Sequence, residues 1–250
     1  IKNCGQLLTM KGGVKRGRSM MDLGLIEDAF VACERGKISV VAKMSGLKKF
    51  EKEIFSKTKV FDAKGCVVMP GLIDCHTHLV FAGNRAHEFK MKLEGKSYLV
   101  ILADGGGILS TVNATRKATK ADLVKGALLH LKEMLKLGIT TVEAKSGYGL
   151  DLETEVKILQ VLKEVARKQP VRIVPTFLGA HTVPLEFKDM VDEYLEFVMK
   201  KVLPKVKGLA EFVDVFCEKR AFDLKQSEKY LKYARKLGFK LKIHGEQIND

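Results

Sequence analysis

Pro70-Gly71-Leu72-Ile73-Asp74-Cys75-His76-Thr77-His78 joins a turn signal to an apolar run that ends in two histidines. Proline and glycine in succession interrupt regular structure, so Pro70-Gly71 marks a boundary. The run Leu72–Leu79 that follows reads as a strand. Side chains at i and i+2 share a strand face, so the imidazoles of His76 and His78 point the same way and can grip one ion. Two solvated histidines at a strand end are the plainer meaning of that spacing taken alone.

On the N-terminal side, short runs at Ile38–Val41, Val60–Phe61 and Cys66–Met69 are punctuated by Gly12-Gly13, Gly17, Gly36 and Gly46. Short strands and turns of this kind predict a small β domain over residues 1–69. On the C-terminal side, further strand runs fall at Ile139–Lys145, Val171–Leu178, Phe212–Cys217 and Leu241–Ile243. Helical patterns at about 120–137, 151–168, 189–206 and 223–237 lie between them. Asp151 suits an N-cap, Gly138 and Gly238 suit C-caps, and Val156, Leu159, Val161, Leu162 and Val165 have the spacing of a packed helix face.

Strands alternating with helices imply a parallel sheet, either doubly wound or closed into a barrel. The polar residues favour the barrel. Each strand run ends in groups suited to chemistry: His76 and His78, Glu143 to Tyr148, His181, Glu218, and His244 to Gln247. A barrel gathers all its strand ends at one mouth, whereas a doubly wound sheet has one crevice. The expected fold is therefore α/β, a TIM-like (β/α) barrel over residues 70–250 with about five of eight units, behind the small N-terminal β domain. A full barrel needs about 250 residues by itself, so roughly 100–150 more are expected after Asp250. The absence of an initiator Met places the expected start a few residues before Ile1.

Hydrophobic residues make up 46% and charged residues 30% of the 250, an ordinary globular balance that excludes a disordered or collagen-like chain. No apolar stretch is long enough for a membrane helix, and Ile1–Met10 lack the pattern of a secretory signal. Five scattered cysteines (Cys4, Cys33, Cys66, Cys75, Cys217) form neither a disulfide framework nor a C-x-x-C pair, which points to a reducing, cytoplasmic setting. The net charge of +14 comes mostly from single lysines spread through helices, such as Lys117, Lys120, Lys125, Lys132 and Lys136. Without a basic block interleaved with aromatics, neither nucleic acid nor a membrane is expected as a partner.

Six histidines occur, and four of them (His76, His78, His181, His244) fall at strand ends. His244 is the natural third imidazole for a hydrolytic metal site that keeps one position for water. His130 in a helical run and His87 in a loop read as structural or solvated. Gly105-Gly106-Gly107 follows no strand and precedes no G-K-[ST], so it reads as a flexible loop over the mouth and not a phosphate cradle.

The stretch Pro70–His78 resembles the amidohydrolase superfamily. Phe81–Arg85 (FAGNR), Gly105–Val112 (GGGILSTV), Lys145–Glu155 (KSGYGLDLETE), Pro175–His181 (PTFLGAH) and Asp214–Glu218 (DVFCE) resemble, more narrowly, its imidazolonepropionase family. The likeness runs in register along nearly the whole chain. It implies hydrolysis of the cyclic amide of 4-imidazolone-5-propanoate to N-formimidoyl-L-glutamate, in histidine degradation. It implies one Zn or Fe ion per chain, held by His76, His78 and His244. Arg85 would bind the substrate propanoate, a role suited to its planar fork. Tyr148, His181 and Gln247 would contact substrate, with His181 and Gln247 in the catalytic group. Gln247 stands where the family has Glu or Gln, and an amide cannot exchange protons.

The same likeness implies an Asp ligand and base beyond Asp250, so residues 1–250 alone are expected to be inactive. A homodimer is the common state of such barrels. Another superfamily activity, nucleobase deamination or cyclic-imide hydrolysis, is the nearest alternative. Binuclear relatives often use a bridging lysine at the fourth strand end, and in Phe216-Cys217-Glu218-Lys219 the lysine is displaced by Glu218. From a different class, the basic charge leaves a nucleic-acid-binding module as an alternative.

Overall fold

The computed structural model describes residues 1–50, 58–97, 100–101, 104–218 and 221–247, so Lys219 and Asp250 lie outside the described residues. The chain divides into two compact units, Ile1–Gly71 and Leu72–Asp250.

The first unit is a four-stranded sheet in the order β3-β2-β1-β4, from β1 (Cys4–Leu8), β2 (Leu25–Glu34), β3 (Lys37–Lys43) and β4 (Val67–Val68). β2 and β3 form a hairpin closed by Arg35-Gly36, both with positive φ (50° and 76°). That two-residue turn matches the right-handed twist of its strands and explains the glycine. Cys4, Leu7, Ala29 and Val31 form a small core beneath.

Two expectations need correction here. Val60–Phe61 is not a strand; the Phe61 carbonyl accepts a single hydrogen bond from Lys2 N at 2.8 Å. β1 and the ten-residue β2 escape the sequence reading. β2 does not alternate: Asp28 sits at φ 49° and the register shifts at Ala32/Cys33, and such irregularities erase the period of two.

The second unit contains five parallel strands: β5 (Leu72–Thr77), β6 (Ile139–Lys145), β7 (Arg172–Ala180), β8 (Phe212–Val215) and β9 (Lys240–Leu241). Their order in the sheet is their order in the chain. A doubly wound sheet reverses direction at a switch point, whereas this one never does, which is the winding of a (β/α) barrel. Seven α-helices accompany the strands among the described residues. They are α1 (Ala86–Leu93), α2 (Ile108–Lys117), α3 (Lys120–Lys136), α4 (Leu152–Val165), α5 (Val191–Phe197), α6 (Leu203–Val206) and α7 (Leu224–Lys236). Asp151 caps α4 by accepting from Thr154 N at 2.6 Å. Gly138 (φ 84°) and Gly238 (φ 91°) turn the chain out of α3 and α7. The inner face of α4, with Ile158, Leu159, Val161, Leu162 and Val165, is fully buried against the sheet's core.

The helix expected over 189–206 is interrupted. α5 passes into a π turn at Val198–Val202 before α6 begins. Pro204 has no N–H to offer the preceding turn, and the widened turn absorbs that defect. α1 and α2 occupy sequence that shows no clear helical period, so His87 lies on a helix and not in a loop. Gly107 (φ 85°) is the residue that enters α2, and its N–H donates to Glu88 Oε1 at 2.9 Å. A Cβ on Gly106 would stand 2.7 Å from the Ile101 carbonyl oxygen. This part of the glycine run is a packed turn and not a free loop.

Candidate metal and substrate site

His76 is the penultimate residue of β5, and His78 follows directly after its end at Thr77. Backbone pairing continues past the short β9, where Phe216 and His244 form a bridge. The Nε2 atoms of His76 and His244 meet at 3.1 Å, with their rings edge to face. In a flat five-stranded sheet the outer strands stand about 19 Å apart, beyond the reach of two histidines. The sheet is therefore curled, and the curl brings its first and last strands to one point.

Two imidazole nitrogens 3.1 Å apart cannot both carry protons, so the pair shares one proton or one cation. The span is close to the edge, about 3.3 Å, of a tetrahedron with metal–nitrogen bonds of zinc length. His78 lies alongside, its ring centroid 6.3 Å from that of His76. Nδ1 of His78 is buried and has no hydrogen-bond partner among the described residues. Burial, followed by the neighbouring His181 and His76, drives the His78 pKa well below the ordinary value. Burial and His244 lower that of His76. Neutral imidazoles with an unsatisfied buried nitrogen suit a divalent cation. No three His, Cys, Asp or Glu side chains among the described residues yet converge at ligand distances. His76 and His244 are brought together, and His78 stands one ring away.

Beneath the histidines lies a charged cluster that the sequence reading misses. Lys145 Nζ contacts Glu143 Oε1 at 2.6 Å and Asp214 Oδ2 at 2.8 Å, all three side chains being buried. Lys242 Nζ and Thr176 Oγ1 also reach Glu143, at 2.6 and 2.7 Å. Nδ1 of His244 stands 2.9 Å from Asp214 Oδ2, without the alignment of a full hydrogen bond. Burial alone would raise both carboxyls. The hydrogen bonds from Lys145, Lys242 and Thr176 hold Glu143 below its ordinary value, and His244 and Lys145 do the same for Asp214. A carboxylate behind a histidine favours the Nδ1–H tautomer and turns the Nε2 lone pair forward. The signal was present in the sequence as polar residues two apart, Glu143 and Lys145 at the end of β6 and Lys242 and His244 just past β9. With His76 and Cys75 this cluster lines an open hollow of about 370 Å³.

Tyr148 and His181 form a wall beside His78. The His181 ring stacks on His78 at 4.9 Å between centroids, and the Tyr148 ring lies 4.5 Å from His78. His181 Nδ1 lies 3.0 Å from the Gly147 carbonyl oxygen. A carbonyl only accepts, so Nδ1 carries the proton and Nε2 is left as the acceptor. Burial lowers the His181 pKa and raises that of Tyr148, with Arg85 opposing the latter. His181 is thus a neutral acceptor and Tyr148 a protonated donor near pH 7. Gly147 has no freedom to be anything else: its φ is 103°, and a Cβ would meet the Leu178 carbonyl oxygen at 2.6 Å.

The remaining expected residues are held less centrally. Arg85 donates from Nε and one Nη to Glu88 Oε2 at 2.8 and 2.6 Å, while Glu88 also takes the Gly107 amide. Gln247 is exposed, and its backbone N–H donates to the buried Glu218 at 2.7 Å. His130 stacks on Phe81, and His87 pairs with Asp104 on the surface.

A sequence model of the amidohydrolase family matches residues 67–250. The chain is 49% identical to an imidazolonepropionase from Alkaliphilus metalliredigens, over 99% of this chain and 59% of the relative. It is 48% identical to one from Bacillus cytotoxicus, over 100% and 58%. The chain thus spans under three-fifths of the length of these curated relatives. Among solved structures it is similar to a mutant atrazine chlorohydrolase from Arthrobacter aurescens complexed with zinc and atraton. The TM-score there is 0.57 at 19% identity, covering 99% of this chain and 52% of the other.

Proposed function

The chain belongs to the amidohydrolase family, and from that membership we propose that it carries the first part of a metal-dependent hydrolase that opens the ring amide of 4-imidazolone-5-propanoate to give N-formimidoyl-L-glutamate. The observation that carries this reading is the convergence of His76, His78, Tyr148, His181 and His244 from the ends of β5, β6, β7 and β9. It occurs in a chain nearly half identical to imidazolonepropionases along its whole length.

His76, His78 and His244 are proposed to hold one Zn or Fe ion, which supplies Lewis-acid chemistry by acidifying water and polarising a carbonyl. Asp214 fixes the outward face of His244. The protonated Tyr148 hydroxyl donates to the substrate, and His181 Nε2 accepts from a ring N–H, so the two read opposite polarities of one planar heterocycle. Arg85 anchors the propanoate by exchanging the carboxylate of Glu88 for that of the substrate, which keeps its fork satisfied in both states. Gln247 is proposed to orient substrate without transferring protons. The five unpaired cysteines accord with a cytoplasmic setting, and no described helix is long and apolar enough to cross a membrane.

The test is turnover of 4-imidazolone-5-propanoate by the full-length protein, with metal counted on the same sample. One ion per chain and loss of turnover in His78→Ala are expected. Arg85→Ala should raise KM by about tenfold or more, as loss of a charged bidentate contact does. Unchanged kcat/KM in Arg85→Ala would remove the substrate assignment. Two ions per chain would favour the binuclear branch of the family.

A further inference from the structure

Glu155 is one of the most deeply buried charged side chains in the protein, and nothing in the proposed chemistry uses it. It sits at the fourth position of α4, where helical side chains lean back toward the N-terminus. That lean carries its carboxylate over the loop between β6 and α4. Gly147 N donates to both oxygens at 3.1 Å, Gly149 N donates to Oε1 at 2.8 Å, and Leu150 N donates at 3.0 Å. The Ser146 hydroxyl is a further donor. The loop needs such help, because Gly147 (φ 103°) and Leu150 (φ 58°) both take left-handed backbone, which leucine rarely adopts. A Cβ on Gly149 would lie 2.9 Å from Glu155 Oε1, so loop and carboxylate are fitted to each other. Helix capping does not account for Glu155, since Asp151 already caps α4.

The loop so held carries Tyr148, and the Gly147 carbonyl fixes the ring of His181. Gly147 therefore gives its N–H to Glu155 and its C=O to His181. We infer that Glu155 is the positioning residue of the substrate wall, fixing Tyr148 in place and His181 in its Nδ1–H tautomer through the backbone of residues 147–150. The inference deepens the functional reading above and rests on it for the word substrate. The geometric part can be measured without any turnover.

The experiment compares full-length wild type with Glu155→Gln and Glu155→Asp, and with Thr119→Ala as a control that weakens the cap of another helix, α3, without touching Glu155 or its donors. Glutamine keeps the shape, but its single oxygen can replace only Oε1: the Gly147 N–H then faces an N–H₂ where Oε2 stood, and all three loop amides exchange a charged acceptor for a neutral, weaker one. Hydrogen exchange at Gly147, Gly149 and Leu150 should quicken by about tenfold, the consequence of replacing charge-assisted hydrogen bonds with neutral ones. The ¹⁵N signals of the His181 ring should move from a single Nδ1–H tautomer toward a mixture. kcat/KM should fall while metal content stays at the wild-type level, and Glu155→Asp should recover part of each effect. Thr119→Ala should lower the melting temperature and leave loop exchange and the His181 signals unchanged. Wild-type exchange and tautomer in Glu155→Gln, or the same changes in Thr119→Ala, would overturn the inference. If Glu155→Gln does not fold, the wild type still decides. The three loop amides and the His181 Nδ1–H should exchange with one common rate, and unrelated rates would refute the shared anchor. Failure of imidazolone turnover with these exchange results intact would overturn the functional reading and leave the positioning role standing.

Discussion

His76 and His244 stand 168 residues apart in the chain, yet their Nε2 atoms face each other across 3.1 Å. They come from β5 and from just beyond β9, the outermost strands of the sheet. The contact is therefore both the heart of the proposed metal site and a measure of how far the sheet has curled.

Removing either imidazole should leave only two of the three proposed ligands, too few to keep a cation through dialysis. His244→Ala in the full-length protein is expected to lose its bound divalent metal on dialysis, as read by elemental analysis. The rise in melting temperature that metal gives the wild type should vanish with it. Retention of stoichiometric metal would show that His244 is not a ligand.

Asp214→Asn should act on two properties at once. Lys145 would keep Glu143 but lose its second carboxylate in a buried setting, a change that costs about 3–5 kcal/mol when a buried ion pair is broken. Chemical denaturation measures that loss. His244 would also lose the carboxylate behind it, and metal affinity should fall by about 10–100-fold.

Gly147→Ala places a methyl group against the Leu178 carbonyl and His181 Nδ1 while keeping a positive φ. A destabilisation of about 2 kcal/mol or more is expected. The proposed turnover should fall further than stability alone explains, because the displaced atoms belong to His181. Comparing kcat/KM at a temperature where the variant is fully folded separates the two.

Asp151→Ala removes the cap of α4 and the ion pair with Arg116 at 2.8 Å. The expected loss is about 1–2 kcal/mol, from melting curves.

How much of this could be read from the chain follows from what each residue does to local pattern. β5 to β9 are visible because apolar strands and capped helices repeat their own periods. His76, His78, His181 and His244 stand out because histidine is rare here and falls at strand ends. Glu143 and Lys145 stand two apart on one strand, but the role of Lys145 is hidden because its second partner, Asp214, lies 69 residues away on another strand and no local window contains that pair. β2 is hidden by its own irregularity at Asp28. α1 is hidden because its short run shows no clear apolar stripe, and its one carboxylate, Glu88, is buried on Arg85 and Gly107. Glu155 reads as one more acid at a helix start. Only the fold reveals that three amides of the preceding loop point at it.

The strand order also governs when the site can exist during folding. Neighbours in the sheet are neighbours in sequence, so β5 to β8 can zip up by successive local steps. The His76–His244 contact cannot form until β9 is laid down beside β8 and the sheet has bent. Contacts of such sequence separation come late, because loop closure must precede them. A nascent or partly folded chain thus presents His76 and His78 without His244. Capture of the proposed ion would then follow closure of the sheet, so that metal binding would report on a completed fold.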